Sequence, residues 1–312
     1  PGLDVRLTPD LNPQIIDGCL GKIAPAAQVA IRSTIGLLDD LDELRQSLSE
    51  QKDKYFKIKL GGNVATDLER LRSLHQLLTD TVPDFRATLD ANEQYDEDRL
   101  QELLAAFEHD KRLSGFNERL LYIEQPLDRE ATWRTPLGDI GKRIPFIIDE
   151  ADATYDAFPR AVALGYRGVS SKSCKGIYKA ILNGGRVAQL NATAGAAGRY
   201  FLAGEDLTTQ AGLGVQQDTA LVAALGIGHV ERNGHHYVDG FGTAPQQEAE
   251  AFAKAHPLFY QLHNGRYRLA SETGFLPTQS LFAHPGFASG AEPDWRSLEP
   301  MSHASAVERT FS

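Results

Sequence analysis

The sequence predicts an α/β fold, a (β/α)8 barrel of the TIM type, from three observations. From Gln28 onward, strand-like and helix-like segments alternate, the pattern of parallel strands joined by crossover helices. Eight such units fit between Gln28 and Glu231, about the span one closed parallel barrel fills. Five successive strand-like runs end in charged side chains: Lys57-Ile58-Lys59, Asp90-Ala91-Asn92, Glu124-Gln125-Pro126, Asp149-Glu150 and Lys172-Ser173-Cys174-Lys175. Neighbouring side chains on a strand point to opposite faces, so a charge at the exit of a buried strand meets either a site or a clash.

In chain order, residues 29–34 read as the first strand and 39–51 as its helix, with Leu41, Leu44 and Leu48 at helical spacing. Residues 56–60 form the second strand. The helix over 64–78 follows, carrying Leu68, Leu71, Leu74 and Leu78 on one stripe. Strands over 85–89, 120–123, 145–148, 168–171, 199–203 and 229–231 complete the set, with helices over 96–107, 155–164, 177–188 and 212–225. Residues 1–27 read as a lead-in, 28–235 as the barrel, and 236–312 as a C-terminal extension. That extension begins with a helix over 245–255 and continues as an aromatic, Gly- and Pro-rich stretch that packs on the barrel or on a neighbouring subunit.

The composition narrows the function. The chain of 312 residues is 42% hydrophobic, as in soluble globular proteins. Its net charge of −10 argues against nucleic acid or an anionic membrane as a partner, because phosphate binding needs a basic face. Cys19 and Cys174 make neither a disulfide framework nor a zinc spacing. Cys174 is expected to be a small buried residue. No apolar stretch is long enough to span a bilayer, and the start lacks the pattern of a signal sequence. A cytoplasmic enzyme is expected.

The strand ends carry the chemistry. In a parallel barrel they share one rim, where active sites lie. Asp90, Glu124 and Asp149 close strands three, four and five, and like charges that close repel unless a cation sits among them. All-oxygen ligation suits Mg²⁺, with Mn²⁺ as a substitute. The alternative is that each acid caps the following helix. Lys57 and Lys59, two apart, point the same way, and Lys172 on strand six lies on the other side of the acids. A like charge and a divalent cation nearby should lower the pKa of Lys59 toward that of a base. Lys175 reads as a helix-start or surface residue, and His235-His236 as a solvated turn. Gly61-Gly62 turns the chain and leaves room beside Lys59. A cation held by acids between two amines suits abstraction of a proton beside a carbonyl.

The ordered set of Lys57-Ile58-Lys59, Asp90-Ala91-Asn92, Ile123-Glu124-Gln125-Pro126, Asp149-Glu150 and Lys172 resembles the enolase superfamily. Within it, the set is most similar to the muconate-lactonizing-enzyme subgroup of the mandelate racemase/muconate lactonizing enzyme family. The resemblance implies the modified barrel of that superfamily. It further implies Mg²⁺ on Asp90, Glu124 and Asp149, an acid/base pair of Lys59 and Lys172, Lys57 tuning Lys59, and Asn92 supporting the metal site. Family members carry an α+β capping domain before the barrel. Only a short lead-in stands there in this sequence, so that domain is expected to be largely absent from the chain. The strand-seven end, Gly204-Glu205-Asp206-Leu207, is more acidic than the subgroup leads one to expect. Glu205 and Asp206 either address a polar substrate or cap the next helix. The expected substrate is a small carboxylate, and a homo-oligomer is expected. The favoured chemistry is racemisation, epimerisation or cycloisomerisation. A sugar-acid dehydratase (a lyase) and a non-catalytic metal-binding barrel are the alternatives.

Overall fold

The structure, a computed structural model, describes residues 10–12, 14, 24–284 and 286–298. Cys19 and most of the lead-in lie outside these residues. Eight strands pair in parallel in chain order: β1 (Gln28–Ile35), β2 (Tyr55–Lys59), β3 (Arg86–Asp90), β4 (Leu120–Glu124), β5 (Phe146–Ile148), β6 (Gly168–Ser171), β7 (Phe201–Asp206) and β8 (His229–Arg232). β8 returns to β1 through the pairs Ala30↔His229 to Arg32↔Glu231, which closes the barrel.

The crossover helices are α1 (Leu41–Glu50), α2 (Val64–Thr81), α3 (Glu97–His109), α4 (Ala157–Ala163), α5 (Ile177–Ala194) and α6 (Leu213–Ala224). Between β4 and β5 only the single turns Arg129–Thr132 and Ile140–Arg143 occur, where the sequence shows no apolar stripe. The stripe of α2 (Leu68, Leu71, Leu74, Leu78) packs in the main core with Phe56 and Ile58 of β2 and with Leu60, which follows the strand. With those three residues facing the helices, alternation turns Lys57 and Lys59 into the barrel. A Lys-Ile-Lys run thus belongs to a doubly buried strand and not to a solvated edge.

β7 is longer than the sequence suggests. Pairing continues past Gly204, which lies opposite Ser171 on one side and Val230 on the other. Glu205 and Asp206 are therefore strand residues and face opposite sides of the sheet.

Beyond the barrel, α7 (Gln246–Ala255) precedes a hairpin of β9 (Tyr260–His263) and β10 (Arg266–Leu269). Asn264 and Gly265, both at positive φ, form its two-residue turn. β11 (Phe275–Pro277) then pairs antiparallel with the start of β1. Phe252, Phe259, Tyr260, Leu276 and Leu281 are buried with Ile31 of β1 and Val215 of α6 in a second core. Trp295 stays 63% exposed. Among the described residues, no helix is long and apolar enough to cross a membrane.

Candidate active site

Parallel register carries the charged strand ends to one rim. Lys59 lies opposite Asp90, and Asp90 opposite Glu124. Asp149 and Lys172 follow directly on β5 and β6. The order around the rim is thus amine, three acids, amine, and β2 and β6 stand four staves apart in the eight-stranded ring. The acids do not cap helices. Asn63, Asp96 and Asp128 supply that service, accepting from Thr66 N, Arg99 N and Glu130 N respectively.

Lys57 is the hub. Its Nζ lies 2.5 Å from Glu231 Oε2, 3.0 Å from both Asp90 Oδ2 and Glu124 Oε2, and 3.5 Å from Glu205 Oε2, with the side chain 1% exposed. Burial alone would lower its pKa, but Glu124, Glu231, Asp90 and Glu205 outweigh that and raise it well above the usual lysine value. Lys57 is therefore a fixed positive charge among acids. It meets Lys59 through a shared acceptor, since Lys59 Nζ lies 2.7 Å from the same Asp90 Oδ2.

Asn92 links the next pair of residues. Its Oδ1 accepts from Lys59 Nζ at 2.8 Å, and its Nδ2 donates to Glu150 Oε1 at 3.0 Å. Gln125, directly after β4, and Asn92, two residues after the end of β3, both adopt positive φ, a strained backbone of the kind found at functional sites. Gln125 Oε1 accepts from Asp149 N and Ala151 N, and its Nε2 donates to Leu127 O and Thr132 Oγ1. This buried amide fixes the backbone that presents Asp149.

On the far side, Lys172 Nζ donates to Asp149 Oδ2 at 2.8 Å and lies 2.9 Å from Glu205 Oε2. Burial would lower the pKa of Lys172, yet Glu205 and Asp149 raise it. Lys172 is thus held protonated by the carboxylates that surround it. Asp149 and Asp90, which burial alone would raise, sit below the usual aspartate value because each is flanked by two lysines.

Glu124 behaves oppositely. It is fully buried, neither of its oxygens has a hydrogen-bond partner, and the nearby Lys57 lies at ion-pair distance only. Burial, with Asp90, Asp149 and Glu205 nearby, pushes its carboxyl up to about 8 against the opposing pull of Lys57. A buried carboxylate so placed calls for a cation. The donors around it are all oxygens, so the residues present fit Mg²⁺ or another hard dication.

The structure departs from the sequence reading at four residues. Glu205 joins the cluster, but Asp206 turns out of the barrel. There it pairs with Arg232 at 2.6 Å and lies beside Asp218 of α6, with burial pushing its pKa up to about 7. Lys175 lies at a helix start, as one of the two sequence readings has it, but is not a surface residue: its Nζ holds Asp149 Oδ1 at 2.7 Å, Asp149 O at 2.9 Å and Ser170 O at 3.0 Å. Cys174 is exposed, because β6 ends at Ser171 and residues Ser173–Lys175 form a one-turn helix. Glu231 is a site residue that the sequence reading misses. Its signal is its place on the last strand, where a buried run again carries a charge near its end.

Beside Lys59 a cleft of about 640 Å³ opens, lined by Gly36, Leu37, Lys59, Gly61, Asn92 and Gln94. Gly62 has φ +84, and a Cβ there would fall 2.4 Å from Gln94 O, so the turn at this wall requires glycine.

Residues 39–197 match the family described as Enolase C-terminal domain-like. The chain belongs to that family. Solved structures of the enolase superfamily share the fold. One is a dipeptide epimerase from Methylococcus capsulatus complexed with Mg ion (21% identity, 87% of this chain and 71% of that one, TM-score 0.54). Another is a mandelate racemase/muconate lactonizing protein from Herpetosiphon aurantiacus (20% identity, 73% of this chain, TM-score 0.50). This enolase-family chain spans 59% of the Herpetosiphon protein's length. A mandelate racemase/muconate lactonizing enzyme from Roseiflexus sp. aligns over 84% of this chain and 68% of its own, at 20% identity and a TM-score of 0.53. No match is found among curated proteins.

Proposed function

We propose that this protein abstracts the proton α to the carboxylate of a small substrate and returns it, as a racemase or epimerase, or lets the resulting enediolate collapse, as a cycloisomerase. The observation that carries the reading is the pair of amines on opposed staves, Lys59 on β2 and Lys172 after β6, with Asp90, Glu124 and Asp149 on the staves between them. A substrate carbon between the amines has one on each face.

Asp90, Glu124 and Asp149 would hold the divalent cation. When bound, Mg²⁺ supplies positive charge beside the substrate carboxylate, where negative charge grows as the proton leaves. A lysine base beside Mg²⁺ is the general arrangement of enolase-superfamily sites that form an ene-diolate. Lys59, 28% exposed at the cleft, is the amine with access to substrate. Lys172, kept protonated by Glu205 and Asp149, is the proton donor on the opposite face. Lys57, held by four carboxylates, stays out of proton transfer and sets the charge of the floor. A dehydratase would need a positioned acid for the leaving hydroxyl, but Glu205 is already engaged by Lys172 at 2.9 Å.

Proton exchange into deuterated water tests the reading. With Mg²⁺ and a library of α-substituted carboxylates, wild-type protein should exchange the α-proton of at least one member. Lys172→Ala should retain exchange of one stereoisomer and lose interconversion. Absence of exchange across the library, or exchange untouched by both Lys59→Ala and Lys172→Ala, overturns it.

A further inference from the structure

Lys59 Nζ has two acceptors of different kinds. Asp90 Oδ2 at 2.7 Å is a carboxylate oxygen shared with Lys57, whereas Asn92 Oδ1 at 2.8 Å is a neutral amide oxygen. An ammonium group only donates, so the Asn92 amide must keep its oxygen toward Lys59. Its NH2 group then points the other way, where Glu150 Oε1 accepts from Nδ2 at 3.0 Å. An ionised carboxylate only accepts. A flipped amide would therefore set oxygen against oxygen at Glu150 and NH2 against the ammonium at Lys59. Glu150 and Lys59 fix one orientation of the same amide from its two ends.

Asn92 has left its strand, so its side chain is placed by contacts and not by the sheet. It sits two residues past β3 at φ +41, a conformation that persists only when the surroundings impose it. Asn92 N donates to Asp90 Oδ1 at 3.1 Å, which holds the backbone and leaves the amide group to Glu150. Glu150 follows Asp149 past the end of β5, so its bond to Asn92 spans the stave of β4. The opposite face has its own supports: Lys172 Nζ lies 2.8 Å from Asp149 Oδ2 and 2.9 Å from Glu205 Oε2.

We propose that Glu150 is a positioning residue for proton transfer, acting on Lys59 through the Asn92 amide. The proposal rests on the two-amine reading above and adds an asymmetry to it. Loss of Glu150 impairs the Lys59 face and spares the Lys172 face.

Exchange of the α-proton in deuterated water, with Mg²⁺ and a carboxylate from the library that wild-type protein accepts, reads each face separately. The stereoisomer that still exchanges in Lys172→Ala reports on Lys59, and the one that still exchanges in Lys59→Ala reports on Lys172. Glu150→Ala should lower kcat for the Lys59 isomer at least tenfold with KM changed less than twofold. Exchange of the other isomer should fall less than threefold. Glu150→Gln keeps an oxygen for Asn92 Nδ2 and should restore most of the loss. In an Asn92→Ala background, Glu150→Ala should add less than a twofold effect, because the amide through which it acts is gone. A nuclear magnetic resonance measurement needs no substrate. The Asn92 Nδ2 hydrogens, assigned by their loss in Asn92→Asp, should exchange slowly with water in wild type and rapidly in Glu150→Ala. Equal losses on both faces, Glu150→Gln as slow as Glu150→Ala, additive effects with Asn92→Ala, or unprotected Nδ2 hydrogens in wild type overturn the proposal. If wild type exchanges both isomers and Glu150→Ala leaves both rates unchanged, the functional reading stands and this proposal alone fails. Wild-type protein that exchanges no member of the library removes both.

Discussion

Lys57 Nζ lies 3.0 Å from Glu124 Oε2, with each side chain only 1% exposed. Two buried charges from strands that are not neighbours are thereby tied together across β3, in the layer beneath the rim. The desolvation of such charges is tolerable only while they stay paired.

Lys57→Met tests that dependence. The substitution preserves length and leaves Asp90, Glu124, Glu205 and Glu231 without their common counter-charge. Breaking a buried pair in this way should cost about 3–5 kcal/mol. Urea unfolding should report the loss, and a cost under about 1 kcal/mol would mean that the acids share protons instead of relying on Lys57.

Gln125→Ala should act on Asp149 from a distance. It orphans the Asp149 and Ala151 amides, at about 1–3 kcal/mol for each buried donor left unpaired. Hydrogen exchange should locate the loosening at residues 149–152, and Mn²⁺ affinity should fall although no charge is removed.

His229 gives a pH dependence with a definite sign. It is stacked on Tyr55, and its Nδ1 accepts from Arg32 Nη1. Burial, then the Arg32 charge, lowers its pKa from 6.5 to about 3. Between those values the unfolded chain binds a proton that the folded chain refuses, so stability rises with pH across the window. The contribution is fully present above pH 6.5 and is lost as pH falls toward about 3, with a slope of at most about 1.4 kcal/mol per pH unit. His229→Gln should flatten the urea-stability profile between about pH 5 and 7, the range in which an unperturbed histidine titrates. An unchanged slope would place the acid sensitivity elsewhere.

A resident dication should stabilise the fold by linkage. At one hundred times its dissociation constant, Mg²⁺ should add about 2.7 kcal/mol. Thermal unfolding with and without the ion measures this, and Glu124→Gln, which removes the charge of the buried carboxylate, should abolish the shift.

The barrel and most of the rim are legible in the sequence because both are local in origin. Helical stripes such as Leu68, Leu71, Leu74 and Leu78, and runs such as Phe146-Ile147-Ile148, declare their elements without reference to partners. A charge at the end of such a run, as at Asp90 or Lys172, declares a rim because a parallel strand is buried on both faces. Glu205 and Asp206 show where this legibility ends. Both are visible as acids, but which one enters the barrel depends on the strand continuing past Gly204, where Glu231 and Arg232 of β8 pair with them.

Charge states and partners belong to the tertiary structure for the same reason. Strand spacing puts Lys57 and Lys59 on a common face, but only barrel closure brings Glu231 from the last strand to within 2.5 Å of Lys57. Lys175, a turn beyond its strand, becomes an anchor for Asp149 only because β5 and β6 are neighbours. By itself the sequence determined which residues of each recognisable strand share a face, since strand alternation is a property of the backbone. The tertiary structure decided which inward charges meet and which are outnumbered, because Coulomb interactions act through space between residues far apart in the chain.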